Sequence, residues 1–254
     1  MLALVCLMSL ACNISNSKSF NKPKENIRTI YQISFNEDPN TIQTLEYNDN
    51  GDLIKLIMPN DTIYYNYKNK TIIKEYSNKK ENWLSKIVYQ TNASGRIIKS
   101  QLFDPSNVEI SNYQFDYNSN NYLTKAIHQV GKQNMTNNME FNYKKENLDK
   151  VYIKNSENKI ISIYHYEYFY NKINMDNIFI HSILTDLFPN ERLGRNNKNM
   201  IKSLTQISPN GDTLSKLEYS YPKAQDKNQL IQIETDVLNQ NTNKIIYHFS
   251  NGKK

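Results

Sequence analysis

From about residue 30 onward, apolar and aromatic side chains fall at every second position in short runs, and each run gives way to a cluster of Asn, Asp, Gly or Ser. Leu45 and Tyr47 are followed by Asn48-Asp-Asn-Gly51 and then by Leu53-Ile-Lys55-Leu56. Ile87-Val-Tyr89 turns through Thr91 to Gly95 into Ile97-Ile-Lys99. Tyr113, Phe115 and Tyr117 precede Asn118 to Asn121 and a return through Leu123-Thr-Lys125. Met139, Phe141 and Tyr143 turn near Glu146-Asn147 into Leu148-Asp-Lys150-Val151. Period two places alternate side chains on opposite faces of a strand, so each run predicts one dry face and one wet face. Asn and Gly tolerate the positive φ that tight hairpin loops need. The pattern therefore predicts an all-β chain, an antiparallel meander of hairpins. Turn signals indicate on the order of 14 strands, and a sheet that long is expected to close or curl into a β-barrel, which removes its edges.

One interval breaks the alternation. Over residues 171–203, Ile180, Leu184, Leu187 and Phe188 recur at helical spacing, with Asp176 or Asn177 placed to cap and Pro189 to stop. A short helix is expected at 178–188, plugging or covering the sheet assembly.

The amino terminus is of a different kind. Residues 1–11 are uncharged and apolar, too few to span a bilayer as a helix but suited to a signal-peptide hydrophobic region. Ser9-Leu10-Ala11 followed by Cys12 resembles the bacterial lipobox, which implies removal of residues 1–11 and acylation of Cys12. Residues 12–26 are polar and poor in apolar side chains, a flexible tether, and residues 27–254 form the single β domain. No carboxylate directly follows Cys12, so a periplasm-facing anchor is expected in preference to cell-surface display.

Charge and cysteine usage exclude more than they assign. The formal charge is +6, but the lysines are dispersed among asparagines with no nucleic-acid motif, so a nucleic-acid partner is not expected. Both cysteines, Cys6 and Cys12, precede the β region, which can hold no disulfide or thiolate site. The four histidines, His128, His165, His181 and His248, show no metal-binding spacing, and no nucleotide-binding or nucleophile motif occurs. No cofactor, no metal and no enzymatic activity are expected; a hydrolase would need two carboxylates converging in a cleft. A membrane-spanning barrel needs an apolar outer band. Lys55, Lys99 and Lys125 within the return strands favour a soluble tethered barrel over a pore.

The stretch His181-Ser-Ile-Leu followed by Leu193-Gly194-Arg-Asn-Asn-Lys198-Asn199-Met-Ile201-Lys-Ser203 resembles the central landmark of a family of Gram-negative lipoproteins. Those proteins carry a domain of unknown function with a porin-like fold. The resemblance covers about residues 30–250 and implies a barrel-like domain with no catalytic residues to transfer. Hairpins such as Tyr47-Asn-Asp-Asn-Gly51-Asp-Leu53 are also similar to the tyrosine-aspartate repeats of large secreted proteins.

Tyrosine, at 19 residues, offers an apolar ring with a hydroxyl handle. Tyr64, Tyr164, Tyr166 and Tyr168, in clusters with rings on both strand faces, are the candidate ligand-binding side chains. The expected function is a lipid-anchored cell-envelope domain that binds a small molecule, lipid or glycan. The alternative is a structural or protein-interaction component of an envelope complex.

Overall fold

The computed structural model describes residues 29–78, 85–131, 135–174 and 192–250. The first hairpins use β1 (Thr29–Phe35), β2 (Asp38–Tyr47), β3 (Leu53–Ile57), β4 (Thr62–Lys68), β5 (Thr71–Tyr76) and β6 (Lys86–Thr91). The middle of the chain supplies β7 (Ile97–Phe103), β8 (Glu109–Tyr117), β9 (Leu123–Val130), β10 (Met135–Lys144) and β11 (Asn147–Lys154). The remainder supplies β12 (Ile160–Ile173), β13 (Asn199–Ile207), β14 (Thr213–Ser220), β15 (Gln229–Asp236) and β16 (Asn241–Ser250). Every strand pairs antiparallel with its sequence neighbour, and β1 closes on β16 through Ile30↔Phe249 and Ile33↔Tyr247. The result is the expected antiparallel barrel, and of closure and curling it is closure. The expected helix at 178–188, the leader 1–11 and the tether 12–26 lie outside the described residues.

The strands number sixteen, more than the turn signals indicated. The β1–β2 hairpin is not among those the turn signals mark, whereas the β10–β11 turn falls beside Glu146 as expected. The β1–β2 turn is Asn36-Glu37 and the β10–β11 turn is Lys145-Glu146, with all four residues at φ between 50° and 64°. Two consecutive left-handed residues suit a type I′ hairpin, whatever their side chains.

Five other turns repeat one device. The side-chain oxygen of Asn48 accepts N–H bonds from Asn50 and Asp52, Asn92 from Ser94 and Arg96, and Asn118 from Asn120 and Tyr122. Asn155 and Ser208 do the same in their own turns. In each, the fourth residue takes positive φ: Gly51, Gly95, Asn121, Asn158 and Gly211. Local side-chain bonding thus nucleates the turns independently of the barrel.

Alternation along the strands separates the two surfaces of the wall. On β8, Tyr113 and Phe115 are buried inside while Gln114 and Asp116 are exposed outside. Inward side chains pack into two apolar clusters. One is built around Ile87, Tyr89, Phe115, Phe141 and Tyr166, the other around Ile33, Leu45, Ile63, Tyr247 and Phe249. The outer wall is charged: Asp116 and Glu140 flank Lys125 in register, Lys154 reaches Glu140 at 2.7 Å, and Lys55 pairs with Glu46 at 3.4 Å. This polarity is the reverse of a membrane porin, whose apolar band faces lipid and whose lumen is wet.

One barrel end is finished by tyrosines and a strap. Tyr47, Tyr67, Tyr117 and Tyr168 point inward near this end, and each hydroxyl donates to a carbonyl on the preceding strand: Ile30, Leu53, Ile97 and Leu148. Phenylalanine would leave these strand starts unserved, one reason for the excess of Tyr over Phe. Residues 192–199 then cross the turns. Arg192 bonds Asp52 at 2.5 Å and the Gly95 carbonyl at 3.1 Å, with its guanidinium 5.2 Å from the centre of the Tyr67 ring. Leu193 is 1% exposed within the larger apolar cluster. Arg195 N–H donates to Asn121 O, and Asn197 Oδ1 accepts from Leu148 N–H. Asn147 and Asn199 bond each other through two contacts of 3.0 and 2.8 Å.

Candidate functional site

The sequence Tyr164-His-Tyr-Glu-Tyr-Phe-Tyr170 lies on β12, at 14 residues the longest strand. Register with β11 and β13 sends Tyr164, Tyr166 and Tyr168 inward, and His165 and Glu167 outward. Register then shifts between Glu167 and Tyr168 and again between Phe169 and Ile173, while the β10–β11 pairing shifts between Asn142 and Tyr143. Bulges of this kind bend a strand and re-aim side chains. Here they accompany a cavity of about 410 Å³ whose walls include Asp149, His165, Glu167 and Lys202, with Tyr166, Tyr168, Tyr170 and Lys144 completing it.

The electrostatics of this groove are mixed. His165 Nε2 lies 3.9 Å from Asp149 Oδ1, and Lys202 Nζ lies 3.6 Å from Glu167 Oε2. The Ser203 hydroxyl donates to Glu167 Oε2 at 2.9 Å, and this bond, helped by Lys202, holds the Glu167 carboxyl below its ordinary pKa. A carboxylate stabilised in its ionised form is poorly suited to donate a proton, so Glu167 lacks the raised pKa of a glycosidase acid. Tyr170 is 56% exposed, with Lys145 Nζ 5.0 Å from its ring centre. An accessible ring beside donors and acceptors suits a polar ligand with an apolar face. Among the described residues, no group of three or more His, Asp or Glu side chains is placed to hold a metal ion.

The structure brings together Tyr166 and Tyr168, both as largely buried walls, and adds His165, which the sequence offered only as a lone histidine. Tyr164 points into the barrel, where burial raises its hydroxyl pKa. Tyr64 stands apart on the outer wall of β4, 48% exposed, between Lys55 and Glu75 in register. Cys12 lies outside the described residues. Sequence reasoning missed Asp149, Tyr170, Lys202 and Ser203, because their meeting depends on register shifts among strands that alternation alone does not reveal.

These features define a porin-like closed antiparallel barrel. A porin-like protein from Bacteroides uniformis superimposes with a TM-score of 0.61 at 15% identity, covering 87% of this chain and 98% of its own. A porin-like protein from Bacteroides vulgatus gives a TM-score of 0.58 at 12% identity, over 89% and 99% of the two chains. At these identities the likeness is one of fold. No family model and no curated protein matches the sequence.

Proposed function

We propose that this chain is a non-enzymatic, lipid-anchored β-barrel of the cell envelope that stands outside the bilayer and binds a glycan in the β11–β12 groove. The observation that carries this reading is the reversed polarity of the wall. Lys125 with Asp116 and Glu140 lies on the outer face, where lipid would have to be, and each lysine held at a bilayer midplane costs ~2–4 kcal/mol. A barrel that is wet outside needs a separate attachment, and Cys12 after an apolar leader supplies one. The fold neighbours from Bacteroides, described as porin-like, are compatible with an envelope location. Glycan is favoured over lipid as ligand because the groove offers an exposed tyrosine ring among Asp149, Glu167, Lys202 and His165.

Radioactive palmitate labelling should disappear in Cys12→Ala. Glycan arrays should yield a ligand whose binding is lost in Tyr170→Ala and weakened in Glu167→Gln. Unchanged labelling would remove the anchor, and a barrel that conducts ions in planar bilayers would remove the whole reading. A second reading, a component that docks an envelope protein, is favoured by one feature. The hairpin tips at the end opposite the strap expose Val108, Ile160, Ile161, Leu214, Val237 and Leu238. Crosslinking from those tips to one defined envelope protein, with no glycan hit, would select it.

A further inference from the structure

The net charge of +6 conceals a division between the two ends of the barrel. The strap end is also where the chain enters and leaves, because Thr29 pairs with Ser250 and Tyr47, at the end of β2, reaches the Ile30 carbonyl. Its turns are rich in exposed cations. Lys68 and Lys70 flank the β4–β5 turn, Lys144 and Lys145 the β10–β11 turn, and Lys223 and Lys227 occupy the β14–β15 connection. Lys172 near the end of β12, and Arg195 and Lys198 on the strap, are exposed as well. The lysine that recurs in the return strands now has a place. Each return strand starts at this end, so Lys55, Lys99 and Lys125 form an outward row just behind the turns.

In that row Glu46 pairs with Lys55, and Asp116 and Glu140 flank Lys125, so the unbalanced positive charge is that of the turns, where carboxylates are few. Asp52 is bound by Arg192, and Glu146 by both Arg195 and Lys198, leaving Asp49 and Asp226 as the other acidic side chains of the described turns. The described turns at the opposite end are acidic: Glu37 and Asp38, Asp61, Asp104 with Glu109, Glu157, Asp212 and Asp236. Of the lysines there, Lys159, Lys244 and Lys154 are paired with Glu157, Glu37 and Glu140, and Lys86 lies over the Phe103 ring.

We infer that the strap end is an electrostatic docking face for an anionic membrane surface, so that the barrel stands end-on with its acidic tips pointing away. The cations lie on four separate connections of one barrel end, which suits a plane of headgroups. The chain leaves from that same end, where an amino-terminal anchor would hold it. A basic surface adds an electrostatic attraction to anionic headgroups on top of whatever a lipid anchor supplies. The inference rests on the proposed attachment only for the direction of the tether.

The test uses the full chain with vesicles of phosphatidylcholine alone or mixed with phosphatidylglycerol. An anchor or apolar leader contributes equally to both, so the ratio of the two binding constants isolates charge. That ratio should exceed about tenfold at 0.1 M NaCl and approach one at 0.5 M. Lys68→Glu with Lys70→Glu and Lys223→Glu should lower it at least tenfold, since each basic residue near a charged surface contributes ~1 kcal/mol, about fivefold. Lys159→Glu with Lys244→Glu, at the far end, should change it less than twofold. A ratio near one in the parent chain, or equal effects of the two variant sets, overturns the inference. Tight binding to heparin or single-stranded DNA through the same lysines, without preference for the anionic vesicle, would reassign the face to a polyanion. Loss of palmitate labelling with the ratio preserved would sink the anchor and leave the docking face standing.

Discussion

Gly194 and Gly211 offer a controlled measurement of how tightly the strap is held. Both have positive φ, 112° and 95°, a region that side chains with a Cβ rarely adopt. Their surroundings differ. A Cβ on Gly211 would meet nothing within 4 Å, whereas one on Gly194 would lie 3.1 Å from Asn121 O, 3.2 Å from Leu123 N and 3.3 Å from the Tyr117 ring. Gly211→Ala should therefore cost only the conformational part, ~1–2 kcal/mol. Gly194→Ala bears a similar part and must also push the strap off the β8–β9 turn. That movement threatens the bond from Arg195 N–H to Asn121 O at 2.9 Å and the seating of Leu193, adding about 2 kcal/mol. For a domain of this size each kcal/mol moves Tm by ~2–4 °C, so the two variants should separate by about 4–8 °C in calorimetry, with Gly194→Ala the lower. Urea unfolding should rank them the same way. Equal losses would mean that residues 192–199 do not lie against that turn, and the account of the strap would fail.

Three further outcomes follow from the packing. Leu193→Ala should destabilise the barrel by ~2–5 kcal/mol in urea titration, as for other buried leucines, and a loss below 1 kcal/mol would show that the strap does not enter the core. Tyr117→Phe removes the hydroxyl that serves the Ile97 carbonyl and should cost ~1 kcal/mol, whereas Tyr64→Phe on the outer wall should cost almost nothing. Glu234 is buried in the wall, and burial raises its pKa despite bonds to Tyr219 and Asn243. A raised folded pKa means that the native state holds this proton more tightly than the unfolded chain does. The stability it confers is present in full below the unfolded pKa and is lost as pH rises through the folded value. Glu234→Gln should then gain on the parent chain as pH is raised from the unfolded value of ~4.5 toward neutrality, and parallel stability curves would refute the assignment.

The hairpins were legible because their causes are local. Period-two alternation around Tyr113, Phe115 and Tyr117, and Asn or Gly in the turns at 48–51, 92–95 and 118–121, act within one or two strands. The turn at Asn36-Glu37 was harder to read, because it contains no Gly and the backbone there is dictated by the flanking strands. The candidate tyrosines divided for the same reason. Alternation puts Tyr166 and Tyr168 on one face, but the groove they share with Asp149 and Lys202 depends on bulges that arise only when four strands are aligned.

The amino-acid order by itself determined an antiparallel barrel-like domain with one wet and one dry face, since side-chain direction in a strand follows from backbone geometry and needs no partner. Strand lysines already favoured a wet outer face; tertiary structure fixed the dry face as the inner one and alone decided that Leu193-Gly194 straps one end. It also decided that scattered lysines gather at that end and carboxylates at the other. Charges far apart in sequence become neighbours only when sixteen strands close and every second turn is brought to the same rim.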